Sequence, residues 1–233
     1  MELPTYLAVA DALEATLVHE PAGTRVASEH ELARVHSVSR LTARAALDEL
    51  EQRHVVRRRK GSGTFVTRRY DYPVSTGPTP SWSEIVRTAG GEPRADVLDI
   101  AAAVEVPPAP VAGPLTRLTR MCWVNAERAL HKTSWLTAAV VPGLAEALDG
   151  SDSLYAALDR AYGLRPVRRT LRAELVRPPE GVAEALDLRR NAEVIAVTTY
   201  THSDRLQRTV EVTQAWLHTD VFRLVVDLGS HPV

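Results

Sequence analysis

The sequence is poor in the residues that several large functional classes require. It holds one cysteine, Cys122, in 233 residues, which excludes an internal disulfide framework and suits a reducing cytoplasm. It has no run of about 18 apolar residues, so no membrane-spanning helix is expected. No cationic segment followed by an apolar stretch opens the chain, so no signal peptide is expected. His131, His202 and His218 lack a metal-ligand spacing such as H-x-x-x-H, and structural roles are expected for them. There is no phosphate-binding glycine loop, no Ser/His/Asp series in a recognisable setting and no marked carboxylate pair. Internal repeats and low-complexity tracts are also absent. These gaps argue against an enzyme, a metal site and a resident cofactor. Cys122 itself reads as a small buried hydrophobe rather than a redox sensor.

What is present suits two modest domains: 45% hydrophobic and 24% charged residues allow real cores without an unusual surface. The net charge of −1 hides an asymmetry. Residues 34–69 carry ten Arg and Lys against three acids, a local net of +7. A basic stripe of this kind is an electrostatic footprint for a polyanion.

The elements around that stripe sharpen the reading. Residues 5–19 fit a helix, with Val9, Leu13 and Leu17 at four-residue spacing. Ser28 to Glu31 forms an S-x-x-E capping box that opens a short helix through Leu32 and Val35. After a tight turn at His36-Ser37, Ser39 caps a third helix running to about Arg53. On it Ala43, Ala46, Leu47 and Leu50 make the core face. Arg40 and Arg44 fall on one flank and Thr42 on the other, with Leu41 and Ala45 outward between them. Residues 55–59 and 64–67 read as a β-hairpin around Lys60-Gly61-Ser62-Gly63, where glycine permits φ > 0 and close approach to phosphate. Helix, turn, helix and basic hairpin together read as a winged helix-turn-helix in residues 1–67. The Pro-bearing stretch 68–81 is expected to be a linker.

Residues 82–233 alternate short helices with hairpin-connected strands, the pattern of an α+β domain around an antiparallel sheet. Helices are expected near 82–89, 142–149, 153–162 and after Pro179. Strands are expected at 94–105, 115–124, 128–136, 166–177, 193–202, 208–217 and 221–228, with a Pro-rich loop from Val106 to Pro114. Arg168, Arg169 and Arg172 read as a solvated strand face.

The first 67 residues resemble the GntR family of bacterial transcription regulators. Ser28-Glu29-x-Glu31-Leu32-Ala33 resembles its P-S-E-x-x-L-A stretch. Val38-Ser39-Arg40-x-Thr42-x-Arg44-x-Ala46-Leu47 resembles V-S-R-x-T-V-R-x-A-L, and Gly61-x-Gly63-Thr64-Phe65-Val66 matches G-x-G-T-F-V. The departures are Ala27 for proline, His30 for a base-reading arginine, Leu41 for Ser or Thr, and His54 for a glycine. Leu41 either contacts a thymine methyl or packs at the helix edge. The resemblance implies a homodimer on a palindromic double-stranded DNA operator, with Ser39, Arg40, Leu41, Thr42, Arg44, His30, Arg58, Lys60 and Gly61 at the DNA.

The second domain resembles, more loosely, the UTRA effector-binding domain of the HutC-type subfamily, which implies a chorismate-lyase-like fold. Ser81-Trp82-Ser83-Glu84, Gly90-x-x-Pro93, Ser153-Leu154-Tyr155, and Glu211 with Asp220 carry it. Relatives of this type carry R-x-R before a hairpin turn and a Glu about twelve residues on, and bind sugar phosphates. Here Arg120 keeps the first position, but Cys122 and Lys132 replace the others. A cation in place of the carboxylate implies a small anionic effector, with Ser83, Arg120, Lys132, Ser153, Tyr155 and Glu211 as candidate contacts. The expected protein is thus a cytoplasmic, ligand-responsive repressor. The alternatives are a DNA-binding regulator with an unliganded second domain, and a lyase-like enzyme.

Overall fold

In the computed structural model, residues 5–59, 61–74, 80–103, 111 and 113–226 are described. The chain divides into two compact units, Met1–Arg69 and Tyr70–Val233.

The first unit is built from α1 (Thr5–Leu17), α2 (Glu29–Val35), α3 (Arg40–Gln52) and a hairpin of β1 (Val56–Arg59) and β2 (Gly63–Val66). Ala43, Ala46, Leu47 and Leu50 of α3 are buried with Val9, Ala10 and Leu17 of α1 and Leu32 of α2, so the i, i+3, i+4, i+7 face is the core face. Ser28 and Glu31 close a reciprocal capping box. The Ser28 N–H donates to Glu31 Oε2 (2.8 Å), and the Glu31 N–H donates to Ser28 Oγ (3.3 Å). Residues 23–26 run beside β2 through Gly23 N to Val66 O and Val26 N to Thr64 O, both 2.8 Å. The wing therefore rests on a third extended segment. Gly61 and Gly63 have φ of 75° and 120°, where L side chains are strained. His54 takes φ 56°, which explains why a glycine suits this position in the resembled family.

The second unit contains β3 (Tyr70–Val74), α4 (Trp82–Thr88), β4 (Pro93–Ala102), β5 (Leu115–Val124) and β6 (Glu127–Thr137). After a 3₁₀ turn at Ala138–Val140 come α5 (Leu144–Leu148), α6 (Leu154–Tyr162), β7 (Pro166–Val176), α7 (Glu180–Ala185), β8 (Val194–Ser203), β9 (Arg208–His218) and β10 (Phe222–Val226). Six strands form one antiparallel sheet in the order β4-β5-β6-β9-β8-β7. The fold class is α+β, with a helical head followed by an antiparallel sheet domain.

One strand lies where a linker is expected. β3 occupies part of 68–81 and pairs in parallel with β10. Apolar periodicity is weak in β3 because, of Tyr70 to Val74, only Tyr72 is fully buried, edge-on to Phe222 with ring centroids 6.1 Å apart. A two-stranded ribbon has room at its edges for a proline such as Pro73. Residues 75–79, and most of the Pro-rich loop expected from Val106 to Pro114, lie outside the described residues.

Candidate functional site

In the first unit, Ser39 caps α3. Its Oγ accepts from Thr42 N (3.0 Å) and shares a hydrogen bond with Thr42 Oγ1 (2.8 Å). Arg40 and Leu41 are exposed beside it, Leu41 at 77%. That exposure removes the option that Leu41 packs at the helix edge. Arg40 Nη2 donates to His30 Nδ1 of α2 (3.0 Å), and Arg44 Nε stands 3.9 Å from Glu29. A cleft of about 930 Å³ between these helices and the wing is lined by Arg25, Ser28, His30, Arg40, Gly63 and Thr64. Gly61 is exposed at the wing tip, and Lys60 lies outside the described residues.

Not all of the basic stripe is available to a partner. Arg53 bonds Asp11 (2.6 Å), Glu14 (2.8 Å) and Glu49 (2.8 Å), tying α1 to α3. Arg58, expected at the DNA, pairs with Asp48, approaches Glu51 and Glu29 at 4.0 and 3.8 Å, and donates to the Arg44 carbonyl (3.4 Å). It braces the wing against α3. Arg68 donates to the carbonyls of Val18 and Glu20 at the end of α1. The three acids of the stripe thus each meet an internal arginine. Charge counting cannot separate such bonds from a free face.

In the second unit, one face of the sheet carries two apolar clusters. Cys122, Leu130, Val197, Ala215 and Leu217 pack with Trp82, Ile85 and Val86 of α4. Leu118 and Leu136 pack with α5 and α6. Between the clusters the same face turns polar across five adjacent strands. Arg120 on β5 pairs across with Lys132 on β6, Ser134 on β6 with Thr213 on β9, Glu211 on β9 with Thr201 on β8, and Thr201 with Arg168 on β7. Arg120, Ser134, Thr201, Thr213 and Glu211 are all buried.

The hydrogen bonding of this belt is incomplete. Glu211 Oε1 accepts from Ser134 Oγ (2.9 Å) and Thr213 Oγ1 (2.6 Å). Its Oε2, together with Nε and Nη1 of both Arg120 and Arg168, is buried with no hydrogen-bond partner among the described residues. Unpaired buried charges are costly unless a ligand meets them. Burial, and then the charge of Arg120, pushes the Lys132 ammonium down to about 8, partly offset by Glu211. Burial, and then the charge of Glu211, raises the Tyr155 phenol, whose oxygen is 2.9 Å from Thr201 Oγ1.

The candidate contacts are thus only partly gathered. Arg120, Lys132, Glu211 and Tyr155 meet in the belt. Ser153 caps α6 by accepting from Ala156 N (3.2 Å), and Ser83 is buried beside Ser81 (3.1 Å). Arg87 of α4 pairs with Asp152, which sets the starts of α4 and α6 side by side. A cleft of about 430 Å³, lined by Ser81, Glu84, Ser153, Tyr155, Arg165 and Pro166, shares Tyr155 with the belt.

Arg168 corrects the expectation of a solvated arginine face. Arg169 and Arg172 are exposed, but a β-bulge between Arg168 and Thr170 puts Arg168 on the same face as Thr201. One extra residue reverses the side-chain alternation, which no pattern in the sequence signals. Tyr72, whose hydroxyl accepts from Arg168 Nη2 (3.2 Å), escapes sequence reasoning because it lies in the Pro-bearing stretch. Cys122 is buried, and burial pushes its thiol up, the setting of an inert thiol. Among the described residues no group of three His, Cys, Asp or Glu side chains is placed to hold a metal ion.

Comparison with known proteins agrees with both halves of this geometry. The UTRA domain model matches residues 88–223, more than half of the chain, and the model for bacterial regulatory proteins of the gntR family matches residues 5–66. The chain belongs to the GntR family. This GntR protein is 29% identical over 217 residues to the HTH-type transcriptional regulator Rv0792c of Mycobacterium tuberculosis, spanning 87% of this chain and 79% of that one. PhnF from Mycobacterium smegmatis shares the fold at a TM-score of 0.61 and 24% identity, over 95% of this chain and 99% of PhnF. YydK from Bacillus subtilis does so at 0.57 and 16%, over 97% and 100%. The GntR chain is a transcriptional regulator with a DNA-binding head and a UTRA effector-binding domain. Among the described residues no helix is long and apolar enough to cross a membrane.

Proposed function

We propose that this GntR regulator is a homodimeric, effector-released repressor whose effector is a small anionic metabolite bound in the polar belt of the second unit. The observation that carries the reading is the belt itself: three cations, Arg120, Lys132 and Arg168, face one carboxylate, Glu211, and Nε and Nη1 of both arginines are buried without a hydrogen-bond acceptor in bonding geometry among the described residues, Arg168 having the phenols of Tyr72 and Tyr155 beside it. A fold gains nothing from such groups alone, whereas an anion meeting them forms charge-assisted hydrogen bonds in a site of low dielectric.

At the operator, Arg40 and Arg44 pair with guanine edges or phosphates, Ser39 and Thr42 donate to phosphate at the start of α3, and the wing tip at Gly61 lies against the backbone. Arg58 acts through the wing it braces rather than by touching DNA. His30 sets the rotamer of Arg40.

The test is binding of the protein to its own upstream DNA against scrambled DNA, across salt. Preferential binding with a steep salt slope is expected. The doubly substituted Arg40→Ala/Arg44→Ala protein is expected to lose the preference and to reduce that slope by about 2. Equal affinity for both DNAs, unchanged in that variant, would overturn the reading.

A further inference from the structure

The belt is not a uniform cationic patch, and its layout carries information about ligand shape. Arg120 stands on β5 and Arg168 on β7, with β6, β9 and β8 between them. Arg168 also lies in a different cross-strand row, the one that runs through Thr201 and Glu211, four residues along the strands from the row of Arg120 and Lys132, while its charge still acts on Lys132 across the belt. Lys132 lies directly across from Arg120, which makes that end doubly cationic. Glu211 is on the middle strand of the five, its Oε1 held by Ser134 and Thr213 and its Oε2 buried with no partner among the described residues. Arg168 holds the other end, flanked by the phenols of Tyr72 and Tyr155.

The pattern along the belt is therefore double cation, carboxylate, single cation. An anionic group is attracted at either end and repelled in the middle. A hydroxyl or ammonium group in the middle finds an acceptor in Glu211. A compact tetrahedral anion at Arg120 and Lys132 leaves the guanidinium of Arg168 unmet.

Building on the anion-pocket reading above, we infer that Arg168 is a second, separate anion handle, so that the effector is elongated, with a phosphate-like group at Arg120 and Lys132, hydrogen-bond donors opposite Glu211, and a carboxylate at Arg168. Phosphorylated polyhydroxy acids have this chemistry. Tyr72 holds Arg168 in place when no carboxylate does, so Arg168 is preorganised rather than free to swing toward Glu211.

The experiment uses the full chain and matched probes: phosphorylated aldonic acids of three, four and six carbons, each beside the alditol phosphate of equal length, with inorganic phosphate as the shortest anion. Affinities come from calorimetry and from ligand-induced thermal stabilisation. At one length or more, the acid is expected to bind about tenfold or more tightly than its alditol partner. In Arg168→Gln that ratio is expected to fall to about twofold or less, while Arg168→Lys retains part of it. If the acid has no advantage at any length, or if Arg168→Gln leaves the ratio intact, the second handle is refuted while the anion pocket stands. If the wild-type protein binds no probe at millimolar concentration, both the handle and the anion-pocket reading fall. Should Arg168→Gln not fold, the wild-type ratio alone decides.

Discussion

Leu41 stands 77% exposed on α3, one residue after the capped start of the helix and beside Arg40. A leucine so placed contributes almost nothing to the fold, so Leu41→Ala is expected to change unfolding free energy by less than about 0.5 kcal/mol. If it meets a thymine methyl in the groove, the same change weakens operator binding by about 1 kcal/mol, and footprinting on operators with that base replaced removes the difference. Lys132 makes a second prediction at this scale. Burial brings its ammonium down from 10.5 to about 8, with Arg120 adding to the shift and Glu211 opposing it. Between these values the unfolded chain holds the proton more often than the folded one, so stability rises with pH across that window. Anion affinity moves the other way, because a bound phosphate favours the charged lysine, and it falls as pH passes above about 8. Lys132→Arg removes both trends. Titration of an alditol phosphate, and denaturant unfolding, from about pH 7 to about pH 10 read the two slopes separately.

At the scale of elements, most of the architecture was legible because it rests on local rules. The capping box at Ser28, the apolar face of α3 and the short connection between the strands expected at 115–124 and 128–136 each lie within a few residues of chain. Asn125 takes φ 54° there, a conformation that asparagine tolerates better than most residues. What escaped were features made by distant partners. β3 needs β10, some 150 residues further on, and the bulge at Arg169 needs β8 as its ruler. Gly91, just after α4, shows the same dependence. A Cβ there would stand 2.6 Å from the Tyr70 hydroxyl oxygen and 2.8 Å from Val86 Cγ1. Gly91→Ala is accordingly expected to destabilise the second unit by about 1–3 kcal/mol through overpacking, measured by denaturant unfolding with tryptophan fluorescence. Gly90→Ala is strained for a different reason, its φ of 80°, with open space around the added methyl.

At the scale of the whole molecule, the chain is two compact units, each with its own buried cluster. The belt belongs entirely to the second. A fragment covering residues 70–233 is therefore expected to fold cooperatively, to keep the anion affinities of the full chain within about twofold, and to lose operator binding. Loss of anion binding in a folded fragment would assign part of the pocket to the head. Acting on the head from the belt requires an effector that distinguishes two states of the protein, and Tyr72 is the belt residue nearest in sequence to the head, in the strand that begins at Tyr70. By itself the amino-acid sequence determined the class of both units and the helix, turn, helix and hairpin of the head, and it singled out Arg120, Lys132, Tyr155 and Glu211, which the fold gathers in the belt, because helix periodicity, capping and motif spacing are short-range constraints. Only the tertiary structure decided which cations are internal. Arg53, Arg58 and Arg68 bond within the head and Arg168 turns into the belt, since strand register and long-range ion pairs depend on residues that the chain brings together only when folded.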